Sequence, residues 1–236
     1  MKPPSGNSHS RFTLIFDADD TLWENNIYFE EAFERFCDYL SHSSLTAAQV
    51  REVLDEIEMA NAKIHGYGAR NFARNLATCY RHLAERDISE GDLEIVMDFA
   101  NKILAKPMEL IGGVEETLAG LSSRHNLFIF TKGDPEEQRL KIDRSGLGRY
   151  VQHAFIVKEK NEAAYRHLAA EHAFVPEETW MIGNSPKSDI NPALAAGLNA
   201  VFVPHARTWS LEHEEVPASH PRLLRVERIG ELLQHF

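Results

Sequence analysis

Five short apolar runs rich in β-branched and aromatic residues fall at 12–16, 127–131, 154–157, 179–182 and 200–204, most of them bounded by glycine, proline or charge. Runs of this length and composition are the mark of buried strands. Helix-length segments at 114–123, 135–145, 161–172 and 190–196 alternate with the later runs. Strand and helix in alternation restrict the chain to an α/β fold, a Rossmann-like parallel sheet with helices on both faces, which binds ligands where its strands end. The terminal stretch 223–236 reads as a short strand and a closing helix.

One region breaks the alternation. Between about 26 and 105 no strand-like run occurs, and apolar residues repeat at helical spacing instead: Phe29, Phe33, Phe36 and Leu40; Val50, Val53, Ile57 and Ile64; Phe72, Leu76, Tyr80 and Leu83; Leu93, Val96, Met97, Ala100 and Ile103. Thr46 with Gln49, and Ser89 with Asp92, have the spacing of capping boxes and mark two helix starts. The stripes are the core of a small helical bundle. The expected organisation is a flexible tail at 1–10, an α/β core from 11–25 and 106–236, and a helical insert at 26–105.

The first strand runs directly into Phe16-Asp17-Ala18-Asp19-Asp20-Thr21-Leu22-Trp23. Carboxylates this close repel one another, and burial raises the cost. A divalent cation relieves the repulsion, and carboxylate oxygens are the ligands that Mg²⁺ prefers. An Asx turn or helix cap at Asp19 and Asp20 is the alternative for this stretch taken alone. Three further polar clusters follow later strands: Phe130-Thr131-Lys132-Gly133-Asp134; Lys158 and Lys160; and Ile182-Gly183-Asn184-Ser185-Pro186-Lys187-Ser188-Asp189.

In this order the clusters resemble the haloacid dehalogenase superfamily, with its Asp-x-Asp-x-Thr motif, its Ser or Thr at a strand end, its Lys and its final acidic motif. The resemblance covers about 11–204, and the insert lies where members with an α-helical cap of the first type carry theirs. The resemblance implies a phosphatase in which Asp17 is the nucleophile, forming an aspartyl-phosphate, and Asp19 the general acid and base, with its backbone carbonyl on Mg²⁺. Dehalogenating members lack an Asp at the second position, so Asp19 favours phosphoryl transfer. Thr131 would hold phosphate oxygens, and Gly133 permits a tight turn there. Lys160, directly before a helix pattern, is preferred to Lys158 as the fixed positive charge. Lys132 is a further candidate phosphate contact, as Lys187 could be, with an exposed loop lysine as the alternative for both. The final motif departs from the pattern, because Asn184 stands where an Asp is usual and brings no negative charge. Asp189 either ligates the ion or holds the site from behind. Asp134 is read as a helix cap before Pro135, and Asp20 as structural.

Substrate choice would come from the cap, where Tyr67, Arg70 and Asn71 are nominated as leaving-group contacts; Trp23, Asn25 and Asn26 either gate entry or pack. The expected substrate is a small phosphorylated metabolite. The alternatives are a phosphosugar mutase, a phosphonate hydrolase using Lys63 as an imine, or a catalytically weak phosphate-binding module, with dehalogenation last. A net charge of -11 leaves no basic surplus for nucleic acid or an anionic membrane. Cys37 and Cys79 fall in helical patterns, which argues against a disulfide and for a cytoplasmic setting. A monomer or homodimer is expected.

Overall fold

The computed structural model describes residues 11–236, so the expected tail at 1–10 lies outside the described residues. The chain divides into two compact units, one helical, Asn25–Pro107, and one built from the residues before and after it.

The larger unit is a six-stranded sheet in the order β3-β2-β1-β4-β5-β6. Its strands are β1 Thr13–Phe16, β2 Asn126–Lys132, β3 His153–Val157, β4 Thr179–Gly183, β5 Asn199–Phe202 and β6 Leu223–Arg225. Every pairing is parallel. Side chains alternate across the sheet. Leu14, Phe16, Leu127 and Ile129 enter one apolar cluster with residues of the flanking helices, while Ile15, Phe128, Phe130 and Met181 enter another. Both faces are therefore dry, as an all-parallel sheet requires. Helices Val114–Ser122 and Pro135–Ser145 cover the first face; Glu162–Glu171 and Asn191–Ala195 cover the second. In chain order, with the four helices of the other unit counted first, these are α5 to α8.

The chain moves outward from β1 through β2 to β3, then returns to start β4 on the other side of β1. That reversal opens a crevice at the carboxyl ends of β1, β2 and β4, where three of the polar clusters fall and to which Lys160 reaches from the end of β3.

Two local differences from the sequence reading affect the site or the chain's end. Residues Pro186–Ile190 form a π-helical turn ahead of α8. Asp189 and Ile190 both donate their N–H to the Ser185 carbonyl, at 2.9 and 3.1 Å, which swings Asp189 back towards β4. The closing helix at the chain's end is a 3-10 segment, Ile229–Gln234, not an α-helix.

The helical unit contains α1 Asn26–Leu40, α2 Ala47–His65, α3 Ala69–Leu83 and α4 Glu90–Asn101. Both predicted capping boxes form, at Thr46 with Gln49 and at Ser89 with Asp92. Phe33, Phe36, Leu54, Phe72, Leu76, Tyr80 and Val96 share one core of the unit's own. Among the described residues no helix is long and apolar enough to cross a membrane.

Candidate active site

The site grows from β1. Asp17 leaves the strand with its N–H donated to the Ile182 carbonyl of β4 at 2.8 Å, which fixes the backbone before the turn begins. Asp20 then adopts a left-handed conformation, φ 61°, a shape that Asp tolerates better than most residues. The turn closes with Leu22 N–H on the Ala18 carbonyl, 2.8 Å, and Trp23 is buried. This local geometry aims Asp17 and Asp19 from the strand end.

Asp17 is almost fully buried and both its oxygens are engaged. Lys160 Nζ lies 2.5 Å from Oδ1, and the Thr21 hydroxyl lies 3.0 Å from Oδ2. Lys160, and not the exposed Lys158, is thus the lysine that reaches the acids. Its ammonium also contacts Asp189, buried under β4. Burial alone would lower the lysine's pKa, but the charges of Asp17 and Asp189 outweigh it and hold it above the usual lysine range. Burial, then the charge of Asp17, pushes the Asp189 carboxyl up to about 7 against the pull of Lys160. Two carboxyl groups share one ammonium here, and a further cation beside them would favour the charged form of both.

Asn184 faces the same point. Its Oδ1 lies 3.0 Å from the Thr21 hydroxyl, which is equally close to Asp17 Oδ2, so one hydroxyl holds two hard oxygens on either side of it. Asn184 Nδ2 donates to Thr208 Oγ1 at 2.8 Å, and Thr208 donates its own proton to the His205 carbonyl at 3.0 Å. Thr208 can then only accept from Asn184, which turns the amide oxygen to the Asp17 side. The donor set is oxygen throughout and fits Mg²⁺. Asp189 stands behind it: Ser185 N–H donates to its Oδ2 at 2.9 Å, while its other oxygen meets Lys160.

Thr131 is buried near the end of β2 and accepts a hydrogen bond from Gln138 Nε2 at 2.6 Å. Gly133, at φ 146°, leaves the room this needs, because a Cβ there would meet Gln138 Cγ at 3.0 Å. Asp134 caps α6 through the N–H groups of Glu136 and Glu137, both at 3.0 Å. Lys132 is engaged by Glu212 at 2.5 Å and by Ser188 at 3.0 Å. Burial would raise the Glu212 carboxyl, but the Lys132 ammonium outweighs it and holds it below the usual range. Lys187 lies on the surface and donates to the Leu211 carbonyl.

Asp19 was read from the sequence, but not its partners. Lys141 Nζ lies 2.7 Å from each of its oxygens, Trp23 Nε1 donates to Oδ1 at 2.7 Å, and Gln138 Nε2 to Oδ2 at 3.2 Å. Trp23 is therefore tied to the acid. Gln138 and Lys141 stand one turn apart on α6, four and seven residues after the cap Asp134. That spacing on one helix face was the available signal. Nothing local in the sequence marks Thr208 or Glu212.

In the helical unit, Tyr67 is half-buried between α2 and α3, and Arg70 is exposed. Asn71 donates from Nδ2 to the His65 carbonyl at 2.6 Å and so closes the turn joining the two helices. Lys63 is exposed in the last turn of α2.

A family profile described as haloacid dehalogenase-like hydrolase matches residues 13–197. The chain belongs to that family of hydrolases. Among solved structures it is similar to a haloacid dehalogenase-like family hydrolase from Xanthomonas campestris, with 28% identity, 96% of this chain and 95% of that chain covered, and a TM-score of 0.81. It shares its fold with a magnesium-bound hydrolase of the superfamily from Bacillus subtilis, at 18% identity over 95% of this chain and 98% of that chain, TM-score 0.67. The same is true of L-2-haloacid dehalogenase from Xanthobacter autotrophicus, at 17% identity over 95% and 98%, TM-score 0.65. A phosphoserine phosphatase from Thermus thermophilus is 28% identical over 115 residues, 47% of this chain. That match spans 43% of the relative, less than half its length.

Proposed function

We propose that the chain is a Mg²⁺-dependent phosphatase that hydrolyses a small phosphorylated metabolite through an aspartyl-phosphate on Asp17. The observation that carries this reading is the second carboxylate, Asp19, linked through the Gln138 amide to the Thr131 hydroxyl. A carbon–halogen bond breaks to a halide that needs no proton. The oxygen of an alkyl ester does need one.

An Asp17 oxygen attacks phosphorus, the bond to the ester oxygen breaks, and Asp19 gives that oxygen its proton. Water then attacks the phosphorus of the aspartyl-phosphate, Asp19 takes the water's proton, and the Asp17–phosphorus bond breaks to release phosphate. Lys160 offsets the charge on Asp17 as it approaches an anion. Thr131 holds phosphate oxygens, and Lys132, tied to Glu212 and Ser188, is the weaker candidate for the same task. Asp17, the Asp19 carbonyl and Asn184 would hold Mg²⁺, with Asp189 steadying them; the ion supplies charge neutralisation and orientation when bound. The helical unit acts as the cap, with Tyr67 and Arg70 as leaving-group contacts; Asn71, spent on its turn, is the weaker candidate. The partial likeness to a phosphoserine phosphatase supports the reaction class, and phosphoserine belongs on the test panel.

The test measures phosphate release from 4-nitrophenyl phosphate and a panel of phosphorylated metabolites, with Mg²⁺, with EDTA, and for Asp17→Asn. Expected are Mg²⁺-dependent turnover and a loss of at least roughly 10³-fold in the variant, because the group that forms the covalent bond is gone. Halide release from 2-haloacids without metal would reverse the reading. A second reading, a phosphate-binding module of weak activity, draws on Asn184; binding of a phosphate analogue without turnover on any panel member would favour it.

A further inference from the structure

The hydrogen bonds on Asp19 come from three side chains, and each gives only protons. The Lys141 ammonium and the Trp23 indole have no acceptor, and Gln138 turns its NH₂ to the site. Trp23 holds one oxygen and Gln138 the other, so each leaves the carboxylate free to pivot about its own contact. Lys141 alone meets both oxygens, at 2.7 Å each, and so fixes the plane of the group.

The position of Lys141 is unusual for a helix lysine. Its neighbours Arg139 and Leu140 are exposed, as expected for the solvent side of α6, whereas the Lys141 side chain is only 16% exposed. A long side chain held in one place gives up its rotamer freedom, and an ion pair that water still reaches returns little of that loss. Stability is thus a poor account of why this lysine lies in over the acid.

We propose that Lys141 is a positioning residue for Asp19, holding the carboxyl group where it delivers to the departing oxygen the proton it took from water in the preceding turnover, with Trp23 and Gln138 as the sides of the clamp. This rests on the phosphatase reading. Misplacing a reacting group by about 1 Å costs up to about 10²-fold in rate. The loss must depend on what leaves: an alkoxide departs only with a proton, while 4-nitrophenolate departs without one. A lysine that served stability or general electrostatics would not make that distinction.

The experiment compares kcat/KM of wild type, Lys141→Met and Lys141→Arg on 4-nitrophenyl phosphate and on the alkyl phosphate that wild type hydrolyses best, with circular dichroism and melting curves alongside. This ratio covers only the steps up to release of the alcohol. Lys141→Met is expected to lose roughly 10- to 100-fold on the alkyl ester and less than about 3-fold on the aryl ester. Lys141→Arg, which can again span both oxygens, should recover much of the alkyl activity. Equal losses on the two esters, or no loss on either, overturn the proposal while leaving the phosphatase reading intact. A wild type inactive on every ester overturns that reading and this inference with it. Should Lys141→Met not fold, Lys141→Gln carries the same comparison.

Discussion

At the residue scale the tightest constraint is Gly183. A Cβ at this position would lie 2.2 Å from Asp189 Oδ2 and 2.5 Å from its Cγ, so the last strand residue must have no side chain for the acid to pass. Gly183→Ala should push Asp189 off Lys160 and Ser185, cost roughly 1–3 kcal/mol as an overpacked core does, and lower turnover together with stability. Urea unfolding and the aryl phosphate assay check it. Asp17, Asp19, Thr131, Lys160, Asn184 and Asp189 were legible because each lies at or just beyond the end of a strand, and motif spacing carries that topology. Gln138, Lys141, Thr208 and Glu212 were not. A lysine and a glutamine on a polar helix face read as solvated until the sheet brings that face to the acid. Thr208 and Glu212 come from a long loop with no local pattern.

At the element scale, α2 carries a buried cost. Glu58 is nearly covered, its Oε2 has no hydrogen-bond partner, and Arg51 approaches only to 4.0 Å. Burial, opposed by Arg51 and aided by Asp55 and Glu30, raises its carboxyl from 4.5 to about 8. Between those values the folded chain keeps a proton that the unfolded chain has released, so stability present at low pH is lost as pH rises through the interval. Glu58→Gln removes the dependence. It should leave stability near pH 5 almost unchanged and raise it at pH 9 by on the order of 2 kcal/mol, read from denaturant unfolding at the two pH values. Periodicity identified all four helices of this unit, and their caps, because apolar stripes and Ser/Thr boxes are local. It could not find the polar residue turned inward on α2, since helical spacing marks which residues share a face and not what that face meets. The π-helical turn was missed for a related reason: it is set by the fit of Asp189 to Lys160 and Ser185, which is a tertiary matter.

At the scale of the whole molecule, two units carry separate cores, one in the helices and one on each face of the sheet. Leu76 on α3 is fully buried in the helical core. Leu76→Ala should cost about 2–5 kcal/mol in that unit. Hydrogen exchange read by mass spectrometry should show faster exchange across Asn25–Pro107 and unchanged protection in β1, β2 and β4. Equal loss across both units would mean that they unfold as one. The division was visible in the sequence as the switch from strand-length runs to helical stripes, the kind of change that survives without any knowledge of contacts. The Lys160 nitrogen carries a different lesson. It joins the end of β1, the segment before α7 and the turn after β4, three stretches brought together only when the four strands β1 to β4 have paired. A half-assembled chain therefore holds no partial version of this centre, and reactivity should arrive late in refolding, in a single step, after the backbone signal has already returned.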